Sequence, residues 1–153
     1  MCPLYGEKRN LMKYVVDTNI FNRLIDGLLS TGELPSDGEF VATHVQKDEL
    51  NRTSDANRRG MLLLKFSKVV DVVVPTESAV FDISRFDQSR FSDGRLYQSI
   101  KTGLDGKNKG KTNNPQDALI AEVAIANRWT LLTADNDLAV VAETYGCAVR
   151  LFK

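Results

Sequence analysis

The chain has little of what common metal and disulfide sites are made of. Its 153 residues include two cysteines, Cys2 and Cys147, and one histidine, His44. Two cysteines so far apart give no disulfide framework, and a single histidine completes none of the usual zinc patterns. We therefore expect a reducing, cytoplasmic setting without structural zinc. An isolated histidine such as His44 is more often a packed or surface residue than a catalytic one.

Long apolar runs are also missing. No run approaches the ~20 apolar residues that a membrane span needs, and residues 1–12 lack the apolar stretch of a signal peptide. We expect a soluble, intracellular protein in which residues 1–12 are a disordered N-terminal extension and residues 13–153 form the folded domain. The hydrophobic content of 42% is enough for one substantial core, which predicts one domain.

An excess of either charge is missing as well, because 20 Lys and Arg residues balance 20 Asp and Glu residues. Net charge therefore gives no indication of nucleic-acid binding. Any attraction to a polyanion must come from local basic patches and from bound metal.

What the sequence does contain is an alternation of strand-like and helix-like segments. Apolar or β-branched runs predict strands at residues 13–16, 40–43, 69–74, 79–83, 129–133 and 147–152. Helical spacing and capping residues predict helices after Asp17, from His44, over residues 114–126 and over residues 138–145. Such an alternation predicts an α/β fold with a mostly parallel sheet and helices on both faces.

Two segments are basic. A predicted helix after Glu49 carries Arg52, Arg58 and Arg59. Within residues 84–116 the lysines between residues 101 and 111 stand among glycines, a composition that favours a mobile loop over packed structure. This loop is a candidate for grasping a phosphate backbone, and a solvated surface loop is the alternative.

Four carboxylates stand where a predicted strand or helix begins, ends or turns. Asp17 follows the first strand, Asp135 follows the strand that ends at Thr133, Glu49 lies on the helix after the second strand, and Asp117 opens a buried helix. Open sheets of this class bind ligands at the carboxyl ends of their strands. Because gathered like charges repel, such a cluster normally needs a divalent cation. The pattern therefore predicts metal-assisted phosphate chemistry.

Each acid also has a purely local interpretation. Asp17 alone fits a turn, and Asp135 and Asp137 fit an Asp-rich turn. Glu49 alone fits a solvated helix residue. Asp117 stands at the third helical position if Asn114 is the cap, where an acid complements the helix dipole. Their joint placement at one predicted rim favours a shared site.

At these residues the chain resembles the PIN domain family of metal-dependent ribonucleases. The matching segments are VDTN at residues 16–19, EL at 49–50, DALIA at 117–121 and LTADNDL at 132–138, and the resemblance runs from about residue 13 to the C-terminus. It implies a single PIN-like three-layer α/β/α domain around a mostly parallel sheet of four to five strands.

The resemblance also implies roles for individual residues. Asp17, Glu49, Asp117 and Asp135 would be catalytic acids that bind Mg²⁺ or Mn²⁺, with Asp137 as a fifth metal ligand, and hard cations do prefer such oxygen ligands. Thr18, Asn19 and Thr133 would orient the acids. The residues expected to contact RNA are Arg52, Arg58, Arg59, Lys107, Lys109 and Lys111.

The implied function is hydrolysis of phosphodiester bonds in single-stranded or structured RNA. Many small members of the family are toxins of toxin–antitoxin pairs, so the implied partners are RNA, an antitoxin protein and a second copy of the chain. Two alternatives stay open: a PIN-like module that binds nucleic acid or a partner without catalysis, and a metal-dependent phosphatase. A haloacid-type phosphatase is disfavoured, because it needs an acid two residues after its nucleophile, where Asn19 stands.

Overall fold

Five parallel strands form the sheet in the described part of the chain. The computed structural model describes residues 11–80, 83 and 93–153. The strands are β1 (Met12–Val16), β2 (Gly38–Ala42), β3 (Val72–Val73), β4 (Thr130–Thr133) and β5 (Val149–Leu151). Their order is β3-β2-β1-β4-β5, and each neighbouring pair is parallel. β1 and β4 therefore lie at the centre and end at the same edge.

Within the described residues, six helices cover the two faces of this sheet. They are α1 (Thr18–Ile25), α2 (His44–Asn51), α3 (Ala56–Val69), α4 (Arg95–Asn108), α5 (Asn114–Asn127) and α6 (Asn136–Thr144), and a short 3₁₀ turn spans Thr31–Glu33. In the part of the chain that the structure describes, none of these helices is long and apolar enough to cross a bilayer.

Alternation along the central strands builds two cores. Val15 faces one side of β1 and packs in a core with α4, α5 and α6, whereas Val16 faces the other side and packs with α1 and α3. Leu131 and Leu132 of β4 divide in the same way. Complete burial of a side chain such as Phe21 contributes about 1.5–3 kcal/mol. The three-layer α/β/α fold predicted from the sequence is confirmed.

The first strand begins one residue before the predicted domain boundary. Met12 pairs with Gly38 of β2, and a Cβ atom at position 38 would overlap the backbone of Met12. Only glycine fits this close approach, so it holds the register between β1 and β2. Of the N-terminal extension predicted over residues 1–12, residues 1–10 lie outside the described part of the chain.

The prediction of a mobile, lysine-rich loop within residues 84–116 is wrong for residues 101–108, because α4 occupies Arg95–Asn108. Tyr97, Ile100 and Leu104 recur at helical spacing and are buried in the core shared with α5 and α6. Gly103 lies inside this helix and faces Val141 of α6. Residues 84–92 of the predicted loop lie outside the described residues.

Three further boundaries differ from the predictions. α3 continues to Val69, which leaves only Val72–Val73 of the predicted strand over residues 69–74 as β3. Residues 79, 80 and 83 form no strand, and residues 81 and 82 lie outside the described residues. α5 begins at Asn114 with Asn113 as its cap, so Asp117 is the fourth helical residue and not the third.

Candidate functional site

The carboxyl edge of the sheet carries an acidic pocket of about 240 Å³. Asp17 lines it directly after the end of β1, and Asp135 lines it two residues after the end of β4. Glu49 lines it from α2 and Asp117 from α5. The structure thus brings together the four carboxylates that the sequence singled out. The other lining residues are Thr18, Asn19, Asn22, Leu50, Thr53, Lys111 and Asn113.

Asp17 is held by two short hydrogen bonds. The hydroxyl of Thr133 donates to its Oδ2 at 2.7 Å, and the amide of Thr18 donates to its Oδ1 at 2.7 Å as the start of α1. Burial raises the pKa of Asp17 to about 6 and the charge of Asp135 adds to the shift, whereas these two bonds lower it. Asp17 therefore serves both the local turn and the pocket.

Glu49 reaches the pocket beside Asp17. The hydroxyl of Thr18 donates to its Oε1 at 2.8 Å, which couples α1 to α2. Burial raises the pKa of Glu49 to about 7 and the charge of Asp17 adds to it, whereas the bond from Thr18 and the charges of Arg52 and Lys111 oppose it.

A buried glutamine fixes the start of the helix that carries Glu49. Gln46 accepts hydrogen bonds from the amide and the hydroxyl of Thr43, at 2.9 and 2.6 Å. Its Nε2 donates to the carbonyl of Val16 at 3.0 Å, immediately before Asp17. Gln46 is completely buried. It therefore ties the end of β1 to α2 and positions Glu49, which lies three residues further along this helix.

Asp117 has a buried carboxyl group with a strongly raised pKa. It is 8% exposed, and among the described residues no hydrogen bond reaches its carboxylate. Burial raises its pKa to about 9, with added repulsion from Asp17, Glu49 and Asp135. Asp117 lies in the first turn of α5, where an acid complements the helix dipole, but its side chain makes no hydrogen bond to the start of this helix. Without a cation, the cluster therefore holds a proton at neutral pH.

Asp135 caps α6, and Asp137 supports it from the helix. The amides of Asp137 and Leu138 donate to Asp135 Oδ1 at 2.9 and 3.2 Å. The amide of Asp135 donates to the Thr133 hydroxyl at 3.0 Å, so one threonine links Asp135 to Asp17. The carboxylate of Asp137 does not line the pocket, so the structure does not bring this expected fifth ligand to the other four.

Of the three residues expected to orient the acids, Thr18 and Asn19 line the pocket, and Thr133 is buried and bonds to Asp17. Thr18 and Thr133 contact carboxylates directly, as described above. The amide side chain of Asn19 instead accepts a bond from the backbone of Ala134 at 3.0 Å and so holds the connection that leads to Asp135.

Two of the arginines expected to contact RNA have partners within the protein. Arg58 donates to Asp26 at 2.7 Å and to Asn22 at 2.8 Å, and this hydrogen bond lowers the pKa of the Asp26 carboxyl. Arg59 donates to the backbone carbonyl of Thr53 at 2.8 Å. Because Asn22 and Thr53 line the pocket, both arginines support its wall and do not line it themselves.

The remaining basic residues differ in position. Arg52 is exposed at the end of α2, and its charge acts on Glu49. Lys107 and Lys109 are exposed near the end of α4 and do not line the pocket. Lys111 does line it.

Sequence reasoning missed Asn22, Gln46, Thr53 and Asn113. A signal existed for two of them. Asn22 stands four residues after Thr18, on the same helical face. Gln46 stands three residues after Thr43, the spacing of a capping box. Thr53 and Asn113 lie in connections, where no periodicity marks them.

The pocket fits a hard divalent cation in the kind of donors that it offers. Carboxylate oxygens are the ligands that Mg²⁺ and Mn²⁺ take, and the unbonded carboxylate of Asp117 leaves free acceptor sites. Within the described residues, however, no group of three His, Cys, Asp or Glu side chains has a geometry that could hold one metal ion. Binding would therefore require small side-chain movements or bridging waters, of which Mg²⁺ usually keeps several.

No protein-family model matches the chain, and no curated protein matches its sequence. Solved structures do match its fold. VapBC2 from Rickettsia felis, bound to a DNA fragment from the promoter, aligns with a TM-score of 0.58 and 18% identity over 93% of this chain and 100% of that chain. VapBC-1 from nontypeable Haemophilus influenzae gives 0.54 and 15% over 92% and 98%.

A third match is VapBC-5 from Mycobacterium tuberculosis, a member of the VapBC family of toxin–antitoxin systems. Its TM-score is 0.50 at 18% identity, and the alignment covers 92% of this chain and 98% of that chain. At sequence identities this low, the structural matches establish a common fold and nothing further. The chain therefore shares its fold with chains of VapBC structures, as the PIN-like resemblance predicted.

Proposed function

We propose that this protein is a divalent-metal-dependent endoribonuclease that acts as the toxin of a toxin–antitoxin pair. The observation that carries the proposal is the convergence of four carboxylates from separate elements on one pocket at the carboxyl edge of the sheet. Such a cluster is unfavourable on its own, because each unit by which a pKa is raised corresponds to about 1.4 kcal/mol. A bound cation would offset the repulsion between the carboxylates and would attract an anionic substrate.

In this proposal Asp17, Glu49, Asp117 and Asp135 hold Mg²⁺ or Mn²⁺. Such a cation supplies Lewis acidity toward phosphate oxygens and toward water. The chain's own contribution is orientation. Thr133 fixes Asp17 relative to the backbone of Asp135, and Thr18 fixes Glu49 relative to Asp17. Removing partners of this kind typically weakens metal binding or activity by about 10–100-fold.

Two observations favour this function over the alternatives. A module that only binds a partner does not need a buried Asp117 whose carboxylate accepts no hydrogen bond from the described residues, which is costly in the absence of a ligand. A haloacid-type phosphatase needs an acid where Asn19 stands, and the Asn19 side chain holds the backbone of Ala134. The toxin role is supported by the fold shared with a member of the VapBC toxin–antitoxin family.

The direct test is cleavage of labelled single-stranded RNA by the purified protein. We expect cleavage with Mg²⁺ or Mn²⁺, none in EDTA, and loss of cleavage in Asp117→Asn with the fold intact. The matched control is Asp55→Asn, since Asp55 is exposed, lies outside the pocket and caps α3 in a way that asparagine can maintain. Undiminished cleavage in EDTA would contradict metal dependence, and equal cleavage of duplex DNA would contradict the assignment to RNA.

The toxin role has a separate test. A short open reading frame next to the gene should encode a small protein that co-purifies with this chain and suppresses its cleavage of RNA. An active ribonuclease whose gene neighbours encode no such inhibitor would remove the toxin role and leave the enzymatic proposal in place.

A further inference from the structure

One basic side chain lines the acidic pocket. Among the described residues that line it, Lys111 is the single basic side chain. Its charge lowers the pKa of Asp17, Glu49 and Asp117. The lysine is nevertheless exposed, and it forms no ion pair with any described carboxylate. Its ammonium group therefore interacts electrostatically with the carboxylate cluster and can still bind an anionic ligand.

A turn with left-handed backbone conformations directly precedes this lysine. After α4, Lys109 and Gly110 both adopt left-handed backbone conformations, with φ of 59° and 76°. A left-handed conformation costs a non-glycine residue roughly 1–2 kcal/mol. The turn is closed by two bonds: the amide of Lys111 donates to Asn108 Oδ1 at 3.2 Å, and the amide of Asn114 donates to the carbonyl of Lys111 at 3.0 Å.

Behind this turn lies a network of side chains that anchors it. Asn114 is completely buried and exchanges bonds of 2.9 and 2.7 Å with the side chain of Asn108. It also donates to Asp105 at 2.8 Å, and Asp105 in turn pairs with Lys101 at 2.9 Å. The network joins the end of α4 to the start of α5. Asp117 therefore sits on the helix whose first residue fixes the turn of Lys111.

From this arrangement we infer that Lys111 is a substrate-positioning residue whose ammonium group binds a phosphate of the RNA at the acidic pocket. The inference rests on the proposed ribonuclease function and adds the side chain that guides the substrate. A phosphodiester approaching four carboxylates is repelled, and the ammonium group of a lysine at the rim reduces that repulsion. A counter-ion that served only the carboxylates would be expected to pair with one of them.

The test measures binding of a fluorescein-labelled single-stranded RNA by anisotropy, in Ca²⁺ to suppress cleavage and over a range of salt concentrations. Lys111→Met removes the charge with little change in length and should weaken binding about tenfold. It should also flatten the slope of log affinity against log salt by about 0.7, the value for one phosphate contact on a single strand. Lys111→Arg should restore most of the affinity.

Two controls separate this role from others. Lys68→Ala should leave binding unchanged, because Lys68 is exposed in the last turn of α3, the end remote from the carboxyl edge. Calorimetric titration with Mn²⁺ should give the same or tighter affinity in Lys111→Met, since a repelling cation has been removed. Wild-type RNA affinity and salt slope in that variant would overturn the inference alone, whereas a wild-type protein that neither binds nor cleaves RNA would overturn the proposed function with it.

Discussion

The stability of the metal-free protein should fall as pH rises, and Asp117→Asn should reverse much of that loss. The pKa of Asp117 is about 9 in the folded protein, against about 3.9 in an unfolded chain. A carboxyl whose folded pKa is raised contributes stability that is fully present below the unfolded pKa. This contribution is lost progressively as pH rises toward the folded pKa. The affected window therefore runs from about pH 4 to about pH 9.

The magnitude follows from the linkage relation. One proton retained by the folded state and released by the unfolded state changes stability by about 1.4 kcal/mol per pH unit. Between about pH 5.5 and about pH 8 the advantage of Asp117→Asn over the wild type should grow by up to about 3 kcal/mol. For a chain of this length that corresponds to a growing gap in Tm of roughly 6–12 °C.

The assay is thermal or urea denaturation followed by circular dichroism, in EDTA, at both pH values. Asp55→Asn serves as the control for the loss of one surface charge. Adding Mg²⁺ should stabilise the wild type more than Asp117→Asn, because a ligand that binds the folded state stabilises it. If wild type and Asp117→Asn lose stability in parallel between the two pH values, Asp117 does not hold the proton and the reasoning about the cluster is wrong.

Two further predictions concern single contacts. Thr133→Val removes the hydroxyl that joins Asp17 to Asp135 and should weaken Mn²⁺ binding about 10–100-fold by calorimetry, whereas Thr133→Ser should preserve it; equal affinities in the two variants would contradict this role. Leu104→Ala should reduce the free energy of unfolding in urea by about 2–5 kcal/mol because Leu104 is completely buried in α4. The exposed Lys107→Ala should change it by less than about 0.5 kcal/mol, and similar small effects of both substitutions would indicate that α4 is not packed.

The acids at strand ends could be located from sequence because their positions depend on local pattern. An apolar strand that ends at Val16 or Thr133 places the next polar residues at the sheet edge, whatever the rest of the chain does. Parallel strands bring those edges together. The common pocket of Asp17 and Asp135 is a consequence of topology that the alternation of strands and helices already contains.

The lysine-rich segment could not be predicted because packing overrides its composition. Its glycines favour a loop when each residue is considered alone. In the structure Gly103 lies against Val141 of α6, and Leu104 is buried in the core that α4 shares with α5 and α6. Sequence pattern shows the apolar spacing but not the neighbouring helix that makes the spacing useful.

The basic residues illustrate a different limit. A run of arginines suggests a polyanion, but the partners of Arg58 and Arg59 are Asp26 and the carbonyl of Thr53. Asp26 lies 32 residues away in sequence from Arg58. No periodicity links residues at that separation. The same limit applies to Gln46, whose bond to Val16 is visible only in three dimensions.

Three helices begin at the pocket, and this has a consequence for how the protein matures. Asp17 and Asp135 cap α1 and α6, and Asp117 lies in the first turn of α5. Helix starts favour negative charge by about 0.3–1 kcal/mol each. With a proton held in the cluster, a newly synthesised chain can complete its fold before it acquires any ion. Under the proposed function, metal binding is then an exchange in which the ion enters and the proton leaves, so the affinity for the metal should rise with pH.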